Sequence, residues 1–137
     1  MSHLTTVHTQ IRSIEALQLA CAALGVSLTQ GGRARFYAGH SEACDYVITL
    51  PGRYDLGLTY QQASGTYAFV ADAELLEGPV HARNQPGRQI LGERGQRLRQ
   101  EYAYAVFQLE ARRKGLQLAR QVQPNGTIRV VLQGRNL

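Results

Sequence analysis

Within its first twenty-five residues the chain changes the period of its apolar positions, and that change demands a mixed architecture. Thr5, Val7, Thr9 and Ile11 alternate with Leu4, Thr6, His8 and Gln10, the spacing of a half-buried strand rich in β-branched side chains. From Ile14 the recurrence becomes helical, with Ile14, Leu17, Cys21 and Leu24 on one stripe. Ser13 stands where an N-cap accepts a first-turn amide, and Glu15 where the helix dipole favours an anion. Gly25 stands where a left-handed residue closes the helix. A strand and an amphipathic helix so close together must bury two unlike apolar surfaces in one core.

The rest of the chain supplies the partners. Arg33–Ala38, Asp45–Leu50, Tyr54–Tyr60 and Thr66–Ala71 read as strands, with Pro51-Gly52 as a turn between the second and third. Gln61–Gly65 has the length of a hairpin connection, so the strands on either side of it pair antiparallel. Residues 78–92 contain Gly78, Pro79, Asn84, Pro86, Gly87 and Gly92 and keep no steady period, which predicts a long loop. A second helix is predicted over 93–114. Leu98, Tyr102, Ala105, Val106 and Leu109 form its buried face, and Arg94, Arg97, Glu101, Gln108 and Arg112 face outward. Gly115 ends it, and Leu116–Val122 pairs with Thr127–Gln133 around Pro124-Asn125-Gly126.

The resulting order is β-α-β-β-β-β-α-β-β. A mainly antiparallel sheet with two helices packed on one face is the simplest α+β arrangement that buries both helical stripes. At 137 residues the chain (1–137) fits one domain with a core that needs neither disulfide nor metal. No apolar run approaches the roughly 20 residues that span a bilayer, and Met1–Thr6 lacks the basic and apolar regions of a signal peptide. The expectation is a cytoplasmic protein without membrane contact. Cys21 lies on the apolar stripe and Cys44 lies far from it without CxxC spacing, so both are expected as reduced thiols.

Charge is unevenly placed. Of fifteen cations, nine (Arg83, Arg88, Arg94, Arg97, Arg99, Arg112, Arg113, Lys114, Arg120) fall between residues 83 and 120 against three anions, giving +6 in a chain of net +5. Lys114 is the one lysine, so this surface consists of guanidinium forks suited to carboxylates and phosphates. Three readings suit it: a solvated helix face, a dock for an acidic protein, or a nucleic-acid surface. Glu93, Glu101 and Glu110 interrupt the field, and no RNA-binding motif supports the last, so nucleic acid ranks below a protein partner.

Catalytic signatures are missing. There is no GxSxG, no HExxH and no Gly-rich loop opening a helix. His3 and His8 point to opposite faces of a strand, and His40 with Cys44 lacks a second pair at zinc spacing, so no metal or other cofactor is expected. Tyr54, Asp55, Asp72 and Tyr102 are the polar residues best placed for a pocket between the sheet and the second helix.

Met1-Ser2-His3-Leu4-Thr5-Thr6-Val7, Thr9-Gln10-Ile11, Leu17 and Leu24-Gly25 resemble the start of the hypothetical chloroplast open-reading-frame thirty-five family. These are small proteins of unknown function from cyanobacteria, algal plastids and other bacteria. The likeness continues through Asp45-Tyr46-Val47-Ile48, Tyr54-Asp55-Leu56-Gly57-Leu58, Tyr67, Val70-Ala71-Asp72, Gln100-Glu101-Tyr102-Ala103 and Asn125-Gly126-Thr127-Ile128-Arg129. Around 76–92 this chain is longer and richer in Gly and Pro than the family pattern. The resemblance implies no catalytic residue. By the association of such genes with AAA+ ATPases and small ferredoxin-like proteins, it implies an accessory subunit.

Two functional expectations result. The first is a non-enzymatic interaction module docking a protein through the basic segment, with Arg88, Arg94, Arg97, Arg99, Arg112 and Arg113 as contacts. The second is a small-molecule binder or enzyme built on the tyrosine and carboxylate set.

Overall fold

The computed structural model describes residues 4–77 and 86–134. Its strands are β1 (Leu4–His8), β2 (Ser27–Gln30), β3 (Arg33–Arg35), β4 (Ser41–Ala43), β5 (Tyr46–Thr49), β6 (Leu56–Gln61), β7 (Thr66–Asp72), β8 (Leu116–Val122) and β9 (Ile128–Gly134). Its helices are α1 (Ile14–Leu24), α2 (Ala73–Glu77), α3 (Pro86–Leu91) and α4 (Gln96–Arg113).

Five strands form one antiparallel sheet in the order β1-β7-β6-β5-β2. The β6–β7 hairpin pairs Gln61 with Thr66, as its connection length predicts. The capping signals of α1 are realised. The Ser13 side chain accepts from Ala16 N at 3.1 Å, and Gly25 adopts φ 73°. That helix lays Leu17, Ala20 and Cys21 on the sheet face formed by Ile48, Leu56, Leu58, Phe69 and Ala71. Leu98 of α4 closes the same core beside α1, with Leu75, Leu76 and Leu91 from the short helices.

The other sheet face carries a second, smaller core. Ala34, Phe36 and Cys44 of the β3–β4 hairpin rest on Val47, with Val70 packed alongside. Gly57 on β6 makes this approach possible, since a Cβ there would stand 2.5 Å from Cys44 Sγ. The two thiols, both free, therefore belong to cores on opposite sides of the sheet.

Several elements differ from the sequence reading. β2 and β4 were not expected, and each exists by pairing with a neighbour, β5 and β3 respectively. Arg33–Arg35 joins the small hairpin rather than the main sheet, and β8–β9 forms a separate ribbon. Within 78–92, Pro86–Leu91 is helical rather than loop, because proline suits the first turn of a helix; residues 78–85 lie outside the described residues. The second helix starts at Gln96, after a single 3-10 turn at Glu93–Gly95.

Candidate functional site

The residues singled out as a carboxylate and tyrosine pocket have mainly internal duties. Asp55, 3% exposed, accepts from Arg35 Nε at 2.9 Å, from an Arg35 terminal nitrogen at 2.9 Å, and from the backbone N–H groups of Arg35 (3.0 Å) and Leu50 (3.2 Å). The Arg35 guanidinium also donates to the carbonyls of Leu50 and Gly52. Burial pushes the Asp55 carboxyl up, but the bonds from Arg35 and the two amides, with the Arg35 charge, outweigh it and leave the pKa below its ordinary value. This is a tie between the β3 hairpin and the loop leading into β6.

Tyr54 is equally buried, and its hydroxyl donates to Glu74 Oε2 at 3.0 Å. Burial, then the bond to Glu74 and the charge behind it, push Tyr54 up to about 12. Asp72, 2% exposed, caps the start of α2 by accepting from Glu74 N at 3.0 Å, while its Oδ2 has no protein donor. Tyr102 stands at the other end of β7. Its hydroxyl accepts from the backbone N–H groups of Arg12 (2.9 Å) and Ser13 (3.0 Å), fixing the entry to α1. Tyr54 lines a cleft with Arg35, Tyr37, His40 and Arg53, whereas Tyr102 lines a different groove on α4. The four residues do not converge on one pocket. Tyr102, on α4, is separated from the other three because it meets Arg12 and Ser13 near the Thr66 end of β7, whereas Asp72 ends that strand.

The basic segment is partly neutralised within the chain. Arg120 forms a two-pronged bridge to Glu101 and lies over the Tyr104 ring, holding β8 against α4. Arg113 and Lys114 both reach Glu110, at 3.6 and 3.7 Å. Arg97 donates to the Gln89 carbonyl, and Arg88 lies half-buried on α3. Arg94, Arg99 and Arg112 have no acidic partner among the described residues; Arg94 and Arg112 are exposed and Arg99 is half-buried. Arg83 lies outside the described residues.

What the sequence reading missed is the apolar centre beside these arginines. Val106, expected in the buried face of α4, is 40% exposed, and Phe107 is 58% exposed. The helix turns Leu98, Ala105 and Ala111 inward, and the ribbon covers its Glu101 and Tyr104 side. The side bearing Val106 and Phe107 stays open. With Tyr102, Ala103, Arg99 and the Thr9–Ile11 stretch after β1, these two residues form a groove of about 390 Å³. The available signal was Phe107 itself, an aromatic residue off the helical stripe.

Among the described residues no cluster of three or more His, Cys, Asp or Glu side chains is arranged to hold a metal, and no helix is long and apolar enough to cross a membrane. Cys21 is pushed up to about 12 by burial, and Cys44 is raised by burial and the Glu42 charge. Neither thiol is poised as a nucleophile.

Residues 20–131 match a family model described as a protein of unknown function, DUF1257. The chain is also 30% identical, over 97% of its own length and 97% of the other's, to the uncharacterized protein ycf35 of Cyanophora paradoxa. No solved structure matches.

Proposed function

The chain belongs to the DUF1257 family of proteins of unknown function, and we propose that this member is a non-enzymatic interaction module that docks an acidic protein partner on the open side of α4. One observation carries the reading. Val106 and Phe107 lie uncovered in a groove that Arg99 also lines, and the Arg99 guanidinium has no acidic partner among the described residues. An exposed aromatic in a groove bordered by an arginine is the composition of an interface centre rather than of a solvated helix face. The partner that fits presents an apolar anchor surrounded by carboxylates. An AAA+ ATPase or a small ferredoxin-like protein, the association that the family resemblance brings, is the first candidate to set against this face.

The basic segment named from sequence thus contracts to a smaller patch. Arg113 and Lys114 are occupied by Glu110, so their contribution to docking is expected to be minor. The test is photo-crosslinking in the native host from position 107 and, as control, from Gln30 on the opposite sheet edge. The expected result is one discrete product from position 107 that disappears when Arg99 is changed to glutamate. Equal, diffuse labelling from both positions would remove the proposal.

A further inference from the structure

A second cleft lies at the head of α4 and meets the Phe107 groove at Arg99, which lines both. It encloses about 690 Å³ between β1, α2 and the first turns of α4, and is lined by Val7, Leu76, Glu93, Arg94, Gln96 and Arg99. Two guanidiniums and one carboxylate line it beside Val7 and Leu76, so the cleft is net cationic. Arg99 is the unusual group in it. Its Nε is buried and has no acceptor among the described residues, while its guanidinium carbon lies 5.4 Å from the centre of the Phe69 ring. The ring contact leaves the Arg99 Nε–H without a hydrogen-bond acceptor among the described residues. A buried donor on a charged side chain is costly to leave unpaired, and such groups are rare in folded proteins.

The surroundings add to this. Arg94 sits at φ 55°, a left-handed conformation that side chains other than glycine adopt sparingly. The helix begins at Gly95 without a side-chain cap, and its first amide, Gln96 N–H, donates to the Glu93 carbonyl. The first-turn amides are a minor supplement. The pair of unpartnered arginines in a walled cleft is what defines the site.

We infer that this cleft binds the oxyanion of a small molecule, a phosphate or a carboxylate, on Arg94 and Arg99, with the uncharged part of the ligand resting on Val7 and Leu76. Glu93, on the rim, disfavours a multiply charged anion and favours one with a single anionic group on an apolar body.

The isolated full-length protein can be titrated with phenyl phosphate, benzoate, inorganic phosphate and benzyl alcohol, following the arginine Nε–H and backbone amide resonances. Phenyl phosphate or benzoate is expected to saturate with a Kd of about 1 mM or tighter. The largest shifts should fall at Arg99 Nε–H and the amides of Gln96–Leu98. Whichever of the two binds more tightly identifies the preferred oxyanion. Inorganic phosphate should bind more weakly, and benzyl alcohol should not bind.

Arg99→Gln should weaken binding by about tenfold or more, the loss expected for a hydrogen bond to a charged group. Arg94→Gly removes the other guanidinium while relieving the left-handed backbone, so its loss of binding cannot be ascribed to unfolding. The inference is overturned if neither aromatic anion saturates, if shifts spread equally over Arg33, Arg53 and Arg112, or if both variants bind like the parent. Because no partner protein is present in this titration, its outcome is separate from that of the docking proposal.

Discussion

Replacing Asp55 with asparagine should destabilise the protein without regard to any ligand. Asp55 accepts four hydrogen bonds while its side chain is only 4% exposed; the Arg35 side chain is 49% exposed. Water can therefore recover the guanidinium donors, but not the buried Leu50 N–H. An asparagine also turns an NH₂ group toward existing donors. Hydrogen bonds to a charged acceptor contribute about 1.5–3 kcal/mol each, and breaking a buried ion pair from one side costs about 3–5 kcal/mol. With half of the pair exposed, we expect a loss near 3 kcal/mol, the lower end of that range. In urea unfolding this lowers the midpoint by roughly 1.5–2 M for a domain of this size. Arg35→Met should cost at least as much, about 3–5 kcal/mol, because it leaves the buried Asp55 carboxylate without its counter-charge. The folded-state pKa of Asp55 is lowered, so its contribution is present above the unfolded value of about 3.9 and is lost as pH falls through the folded value. The parent should therefore lose stability on acidification below about pH 4 more steeply than Asp55→Asn. A loss under about 1 kcal/mol for either variant would refute the assignment of Asp55 as a structural tie.

Other outcomes are equally open to measurement. Tyr102→Phe removes the acceptor of the Arg12 and Ser13 amides and should cost about 1–2 kcal/mol in thermal or urea unfolding; an unchanged midpoint would contradict the anchoring role. Cys21, pushed up to about 12 by burial, should react with a thiol reagent at pH 8 only as fast as the protein opens, and rapid labelling of the folded state would show the thiol to be accessible. Binding to oligonucleotides near physiological ionic strength should be no tighter than about 10⁻⁵ M and indifferent to sequence, whereas sub-micromolar binding that survives added salt would return the arginines to a nucleic-acid role.

Much of the fold was legible because its signals are local. The alternation through Thr5, Val7, Thr9 and Ile11, the Ser13 and Gly25 caps and the Gln61–Gly65 connection each depend on a few neighbouring residues, and the α+β arrangement follows from them. Ser27–Gln30 and Ser41–Ala43 were invisible since short polar strands take their structure from a partner. Pro86-Gly87 reads as a breaker in isolation, yet proline at a first helical turn is compatible with a helix, and Gly87 allows α3 to press against Leu50 and Leu75.

The candidate site was legible in type rather than in place. Arg94 and Arg99 stood out as cations, but which arginines remain unpaired depends on the distant pairing of Arg120 with Glu101. The opening of Val106 and Phe107 likewise depends on where α1 and the β8–β9 ribbon settle against α4. No periodicity within α4 encodes that choice. Asp55 was noticed as a possible acid, and only the fold brings Arg35, twenty residues away, onto it.

The most direct measurement is the dissociation constant for the protein captured at position 107, compared between the parent chain and Phe107→Ala. Phe107 is exposed and supports no part of the core, so its truncation leaves the fold intact. If the open side of α4 is the dock, truncating its central aromatic should weaken binding by about thirty-fold, a hot-spot loss of roughly 2 kcal/mol. A change within about twofold, alongside loss of binding on altering Arg53 or His40 in the cleft beside the β3–β4 hairpin, would place the interface elsewhere and contradict the account.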